Sequence, residues 1–222
     1  MGTAGIMADT NLELAQLLCT RLCHDLAGPV GAVAAGVELI GGDPSQADAE
    51  TLGLIGNSSS AASLKLKFMR AALGVTGAVG DPKTLLAGYL DAVAGPSGKP
   101  VLTWPAADAM AAGAAALGAG WAQMVLNLCL LGLEALPACR ALALNIIPGA
   151  TLDVVIEASG DRAPPLREDL ASAIAGNGAH PLSAKTVHGH LAGRVVRAAG
   201  GTVTLTGAGN GVRVLASFPK GG

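Results

Sequence analysis

Aromatic side chains are almost missing from this 222-residue chain: two Trp, one Tyr and two Phe, or 2% of the residues. Its core must therefore be filled by Leu, Val, Ile and Ala, and no aromatic set exists for stacking bases. Charge is also scarce. Asp, Glu, Lys and Arg make up 14% with a net charge of −2, so no basic stripe suits a nucleic acid. The 51% hydrophobic share is inflated by alanine and accompanied by 32 glycines. No uninterrupted apolar run reaches the roughly 18 residues of a membrane-spanning helix. The richest, residues 121–136, is interrupted by Gln123, Asn127 and Glu134, so no membrane span is expected. The N-terminus lacks a basic segment followed by an apolar block, so no secretory signal is read, and residues 1–10 are expected to be a disordered leader. Without such a signal, Cys19, Cys23, Cys129 and Cys139 read as reduced thiols of a cytoplasmic protein.

What the chain does have is periodicity. Residues 11–76 read as a helical hairpin. Its first helix spans about residues 10–40, with Asp9, Thr10 or Asn11 as cap and Glu13 in the first turn. Leu12, Ala15, Cys19, Leu22, Leu26, Val30, Val33, Val37 and Ile40 recur in steps of three and four, a helical stripe. Gly41-Gly42-Asp43-Pro44 ends it. A second helix, from about Ser45 to Leu73, carries Leu52, Ile55, Ser59, Ala62, Leu66, Met69 and Leu73. The short loop makes the two antiparallel. Such a hairpin cannot cover its own apolar face, and pairing with a second copy into a four-helix bundle is the economical solution.

After a break over residues 74–80 the pattern changes, and residues 80–222 read as a second, α+β domain. Helices are expected at 82–94, 115–136 and 186–199, with a short one at 167–174. Strands are expected at 101–104, 141–147, 152–158, 202–206 and 212–218. The alternation and the Pro148-Gly149 and Gly207–Gly211 turns give a mostly antiparallel sheet with helices on one face.

His24 is the candidate functional residue. It lies two residues from both Leu22 and Leu26, about 200° of helical rotation from the stripe, and so faces solvent. Its neighbours three and four residues away are Thr20, Arg21, Ala27 and Gly28, mostly small, leaving the imidazole open to another protein. Asp25 is placed to orient the ring or take its proton. Pro29 loosens the helix one turn beyond. A metal site of Cys19, Cys23 and His24 is geometrically poor, because the cysteines lie on or beside the stripe while His24 points elsewhere. His180, His188 and His190 read as loop or helix-start residues.

His24-Asp25 with Pro29 resembles the H-box of histidine kinase dimerisation and phosphotransfer domains, in which the acidic neighbour is the general base. That family's polar residue four positions after the histidine is Gly28 here. In the second half, residues 123–136 resemble the N-box helix of the Bergerat ATPase fold, with Leu131 where the magnesium-binding asparagine stands. Residues 155–162 resemble the strand leading to the Asp-x-Gly-x-Gly turn, with Ala158 at the adenine-reading aspartate and Arg162 at the second glycine. His188-Gly189-His190-Leu191 falls where a phosphate-cradling glycine loop belongs. These replacements remove the carboxylate for adenine, a metal ligand and the glycines that wrap a triphosphate.

A kinase-like hairpin joined to an ATPase-like domain stripped of nucleotide-binding groups is similar to the ChpT-type histidine phosphotransferases. The resemblance implies a homodimer that takes phosphate from the receiver domain of a hybrid histidine kinase onto His24. It then passes the phosphate to receiver domains of response regulators. It implies Asp25 as base, no cofactor or metal in this chain, no ATP, and Mg²⁺ supplied by the partner receiver. Receiver contacts are expected at Arg21, Leu17, Ala27, Gly28 and Gly31, with Arg21 touching phosphate or an acidic receiver edge. The competing readings are an active histidine kinase and a dimeric scaffold that binds receivers without accepting phosphate.

Overall fold

A computed structural model describes residues 3–41, 47–74, 80–95, 98–162 and 165–219, with side chains in the first helix from Asn11 onward. The first helix, α1, runs Thr3–Ile40 with Pro29 inside it. It therefore begins ahead of the expected start, inside the stretch read as a leader. The second, α2, runs Ala49–Leu73 and packs on α1. Asp48 caps it, its carboxylate accepting the Thr51 amide at 2.6 Å. The expected Gly42-Asp43-Pro44 stop, the Ser45 start, the Pro96 turn and most of the break after Gly74 lie outside the described residues.

The rest is a sheet covered by helices. In chain order these are α3 (Pro82–Ala92), β1 (Val101–Thr103), α4 (Ala107–Leu117), α5 (Trp121–Ala135), β2 (Cys139–Pro148) and β3 (Thr151–Gly160). They are followed by α6 (Glu168–Ala175), α7 (Val187–Ala198), β4 (Thr202–Ala208) and β5 (Gly211–Pro219). The strands lie in the order β1-β2-β3-β5-β4. Every pairing is antiparallel except β1 with β2. Register decides which face is buried. Leu142, Leu144 and Ile146 stand beside Ala158, Ile156 and Val154, which stand beside Val212, Val214 and Ala216. All are buried, while the alternate positions Asn145, Asp153, Glu157 and Arg213 lie on the other face.

Helix α5 packs against β2, β3 and β5 on the buried face. Residues 107–135 are apolar enough by length and composition to cross a membrane, with a mean hydropathy of 1.5 over 18 residues. This corrects the expectation that no stretch qualifies. The stretch folds as α4 and α5, broken at Gly118–Gly120, and α5 is the core helix of the sheet. The end of α2 joins this core through Phe68, Met69 and Ala72, with Phe68 stacked on Tyr89 at 4.3 Å.

Candidate functional site

His24 sits on α1 with its side chain 84% exposed. Its Nδ1 lies 3.2 Å from Asp25 Oδ1. Asp25 Oδ2 accepts the Arg21 Nε–H at 2.8 Å, an ion pair one helical turn long. Arg21 does not end there. One Nη pairs with Glu134 Oε1 of α5 at 3.0 Å, and the other donates to the Ala184 carbonyl at 3.3 Å. Lys65 of α2 donates to the Asp25 backbone carbonyl at 3.2 Å. Asp25, beside His24, is thus held from α1 and α2 directly and from α5 through Arg21.

Electrostatics follow from depth. Burial pushes the Glu134 carboxyl up to about 7, with Arg21 pulling it down and Asp25 pushing it further up. Burial works against the Arg21 charge, but Glu134 and Asp25 outweigh it and hold the guanidinium above its usual value. Glu134 Oε2 is buried without a partner. The group borders a cavity of about 480 Å³, whose walls include Arg21, Tyr89, Leu133, Arg140 and Arg167.

Leu17, Arg21, His24, Gly28 and Gly31 repeat at steps of four and three, so they share one face of α1. Ala27, Gly28 and Gly31 are exposed and Leu17 is half-buried. A side chain at Gly28 or Gly31 would meet nothing within 4 Å, so the surface around the imidazole is low. Arg21, expected to reach outward to a phosphate or a partner, is instead turned toward Asp25, Glu134 and Ala184. Glu134 was visible in sequence only as a polar interruption of an apolar helix. A lone carboxylate on a core helix is the one signal that it needs a cation, but the cation comes from 113 positions away and has no local signature.

Of the positions compared with nucleotide motifs, Asn127, Leu131, Ala158 and His188 lie in the core, while Arg162 is exposed. The Asn127 amide donates to the Ala72 carbonyl at 2.7 Å and the Gln123 carbonyl at 2.8 Å, tying α5 to α2. Leu131 and Ala158 are buried. His188, Gly189, His190 and Leu191 are not a loop but the first turn of α7. A Cβ on Gly189 would lie 2.6 Å from Leu170 and 3.7 Å from Leu131, so apolar side chains fill this region. Among the described residues no three His, Cys, Asp or Glu side chains gather as metal ligands.

Comparison with known proteins agrees in direction. A bacterial phosphotransferase of known structure shares the fold, with a TM-score of 0.70, 24% identity and coverage of 92% of this chain and 96% of that one. The protein phosphotransferase ChpT of Brucella abortus (strain 2308) is 33% identical over 141 residues. The match covers 61% of this chain and 61% of that relative. The family model for the histidine phosphotransferase C-terminal domain matches residues 83–211. That stretch takes in β1 to β4 and the helices covering the sheet, more than half of the chain, and the chain therefore belongs to the histidine phosphotransferase C-terminal domain family.

Proposed function

We propose that the protein is a histidine phosphotransferase that relays phosphoryl groups between receiver-domain aspartates through His24. The observation that carries the reading is an exposed imidazole whose Nδ1 lies at hydrogen-bond distance from a buttressed carboxylate, in a chain of the phosphotransferase family. With the proton on Nδ1 and Asp25 accepting it, the Nε2 lone pair is left free for phosphorus. The N–P bond forms as the bond between phosphorus and the aspartyl oxygen breaks, and the aspartate leaves as a carboxylate. The reverse step loads the next receiver. Mg²⁺ on the receiver neutralises the phosphoryl oxygens, and this chain supplies a positioned nucleophile. Leu17, Ala27, Gly28 and Gly31 form the receiver-facing surface, and small side chains there let the partner's active-site loops approach.

The ATPase-like half acts without ATP. The packing of Leu131, Ala158, Leu170 and Gly189 supports this, since side chains occupy the region where the nucleotide-motif positions converge. The hairpin pairs with a second copy as a four-helix bundle. Exposed Leu12, Val30, Val37, Leu39, Leu52, Leu54 and Leu66 support this, as α1 and α2 carry more apolar surface than one hairpin covers. Partners are the receiver of a hybrid histidine kinase and those of response regulators, and the setting is cytoplasmic.

The test is transfer of labelled phosphate from a phosphorylated receiver to the full chain and to His24→Ala. The wild type should gain an acid-labile, base-stable label and the variant none. Equal labelling of both refutes the assignment. Binding without label makes the protein a scaffold, and labelling from ATP alone makes it a kinase.

A further inference from the structure

We infer that Glu134 is a positioning residue for the phosphoacceptor: acting through Arg21, it sets the orientation of Asp25 and its strength as an acceptor, and so the readiness of His24 to accept a phosphoryl group. The inference rests on the phosphotransfer reading above.

Its basis is a series of side chains in contact: His24 Nδ1 to Asp25 at 3.2 Å, Asp25 to Arg21 at 2.8 Å, and Arg21 to Glu134 at 3.0 Å. The first three stand on α1. Glu134 stands on α5, at the heart of the sheet-bearing half, with its side chain only 8% exposed. A carboxylate in that position is costly unless a cation meets it. Arg21 is that cation, and it is shared with the base. The family-matched half of the chain therefore reaches the phosphoacceptor helix through a charged contact as well as through packing.

Sharing has a chemical consequence. With Glu134 ionised, Arg21 is shared between two carboxylates, and Asp25 is the stronger hydrogen-bond acceptor for the Nδ1 proton. With Glu134 protonated, the guanidinium bears on Asp25 alone, Asp25 becomes the weaker acceptor, and Nε2 becomes the weaker nucleophile. Other titratable or charged groups face Glu134 as well: Tyr89 from α3, Arg167 ahead of α6, and Arg140 and Lys185 from the cavity wall. Tyr89 is buried and held in its phenol form. The remaining cations stay charged across the neutral range, so Glu134 is the member of this group that changes charge there, at about 7.

The experiment is single-turnover transfer from a phosphorylated receiver to the full chain between about pH 6 and about pH 8.5, comparing wild type with Glu134→Gln. Above about pH 7 the variant should be about threefold to tenfold slower, the scale of one charge removed across a half-buried ion pair. Below about pH 6 the two should converge, since Glu134 is then neutral in both. In an Arg21→Met background, adding Glu134→Gln should change the rate no further. Slowing by one factor at every pH, no slowing at all, or an effect that persists without Arg21 overturns the inference. Should Glu134→Gln fail to fold, Arg21→Met with Glu134→Leu replaces the ion pair by apolar side chains. The ratio of the wild-type rate to that protein's rate must rise through about pH 7, and a ratio constant with pH overturns the inference. If wild type takes no label, or His24→Ala takes it, the phosphotransfer reading falls and this inference falls with it. If only the Glu134 profile fails, the phosphotransfer reading stands.

Discussion

His188 is an imidazole in the wrong solvent. It is fully buried at the start of α7, bonds to the Asn127 backbone, and has no partner for Nε2. Burial pushes its pKa down to about 4 from 6.5. The unfolded chain therefore binds a proton first on acidification. The stability this group contributes is present above about pH 6.5 and is lost as pH falls toward about 4, up to roughly 3 kcal/mol. Glu134 works the other way. Its pKa is raised from 4.5 to about 7, so its contribution is present below 4.5 and is lost as pH rises through about 7. Between these limits the two oppose each other in the wild type. Glu134→Gln removes the opposing member, so urea titrations of the variant should show stability falling more steeply from pH 7 to pH 4.5 than in wild type. Parallel curves would refute the balance. At this scale the sequence was half legible. Helical phase places His24 two residues from the stripe on either side, and its side chain is exposed. Nothing local marks His188 or Glu134, because their character comes from what other elements bury them.

At the scale of elements, α1 and α2 approach each other at a glycine. A Cβ on Gly36 would lie 2.5 Å from Cγ1 of Ile55, whereas one on Gly28 of the same helix would meet nothing within 4 Å. The pair separates two effects of a glycine in a helix. Gly28→Ala gains helix propensity, up to about 1 kcal/mol. Gly36→Val should lose about 2 kcal/mol, since the overpacking it forces exceeds any propensity gain. Thermal unfolding should show opposite shifts, and a stable Gly36→Val would mean that the hairpin can part there at little cost. Element boundaries were legible in part: α3 begins at Pro82 as expected, and β2, β3 and β5 follow their period-two pattern, whereas α2 begins at Ala49 behind its Asp48 cap, later than the expected start near Ser45. The miss was α4. Residues 107–117 are almost all alanine or glycine, which gives no contrast between faces, so the expected helix began near residue 115 and merged with α5. The division is tertiary in origin: a Cβ on Gly113 would run into the Trp121 indole, which folds back over it.

At the scale of the whole molecule, the apolar stripe read from α1 is not all interior. Val30 and Val37 are each 55% exposed, and Leu52 and Leu66 are 53% and 51% exposed. Val30 and Val37 are spaced by seven and Leu52 and Leu66 by fourteen, so each pair lies along one line of its helix. By contrast Phe68, Met69 and Ala72, at the end of α2, are buried against the sheet-bearing half. The stripe thus divides in two: its end anchors the hairpin to the rest of the chain, and its length stays exposed. Sequence periodicity alone could not make that division, because a residue facing a partner and a residue facing its own domain follow the same 3.6-residue rule. The division gives a sharp expectation. Val37→Glu with Leu52→Glu places charges on the proposed seam but touches none of the buried set. Sedimentation should report a dimer for wild type and a monomer for the double variant. The far-ultraviolet signal of the sheet-bearing half should remain, because its core contains neither residue. An unchanged mass in the variant would put the seam on another face. A wild-type monomer would leave the exposed apolar stripe to a different protein altogether, and the receiver would then be the first candidate to test against it.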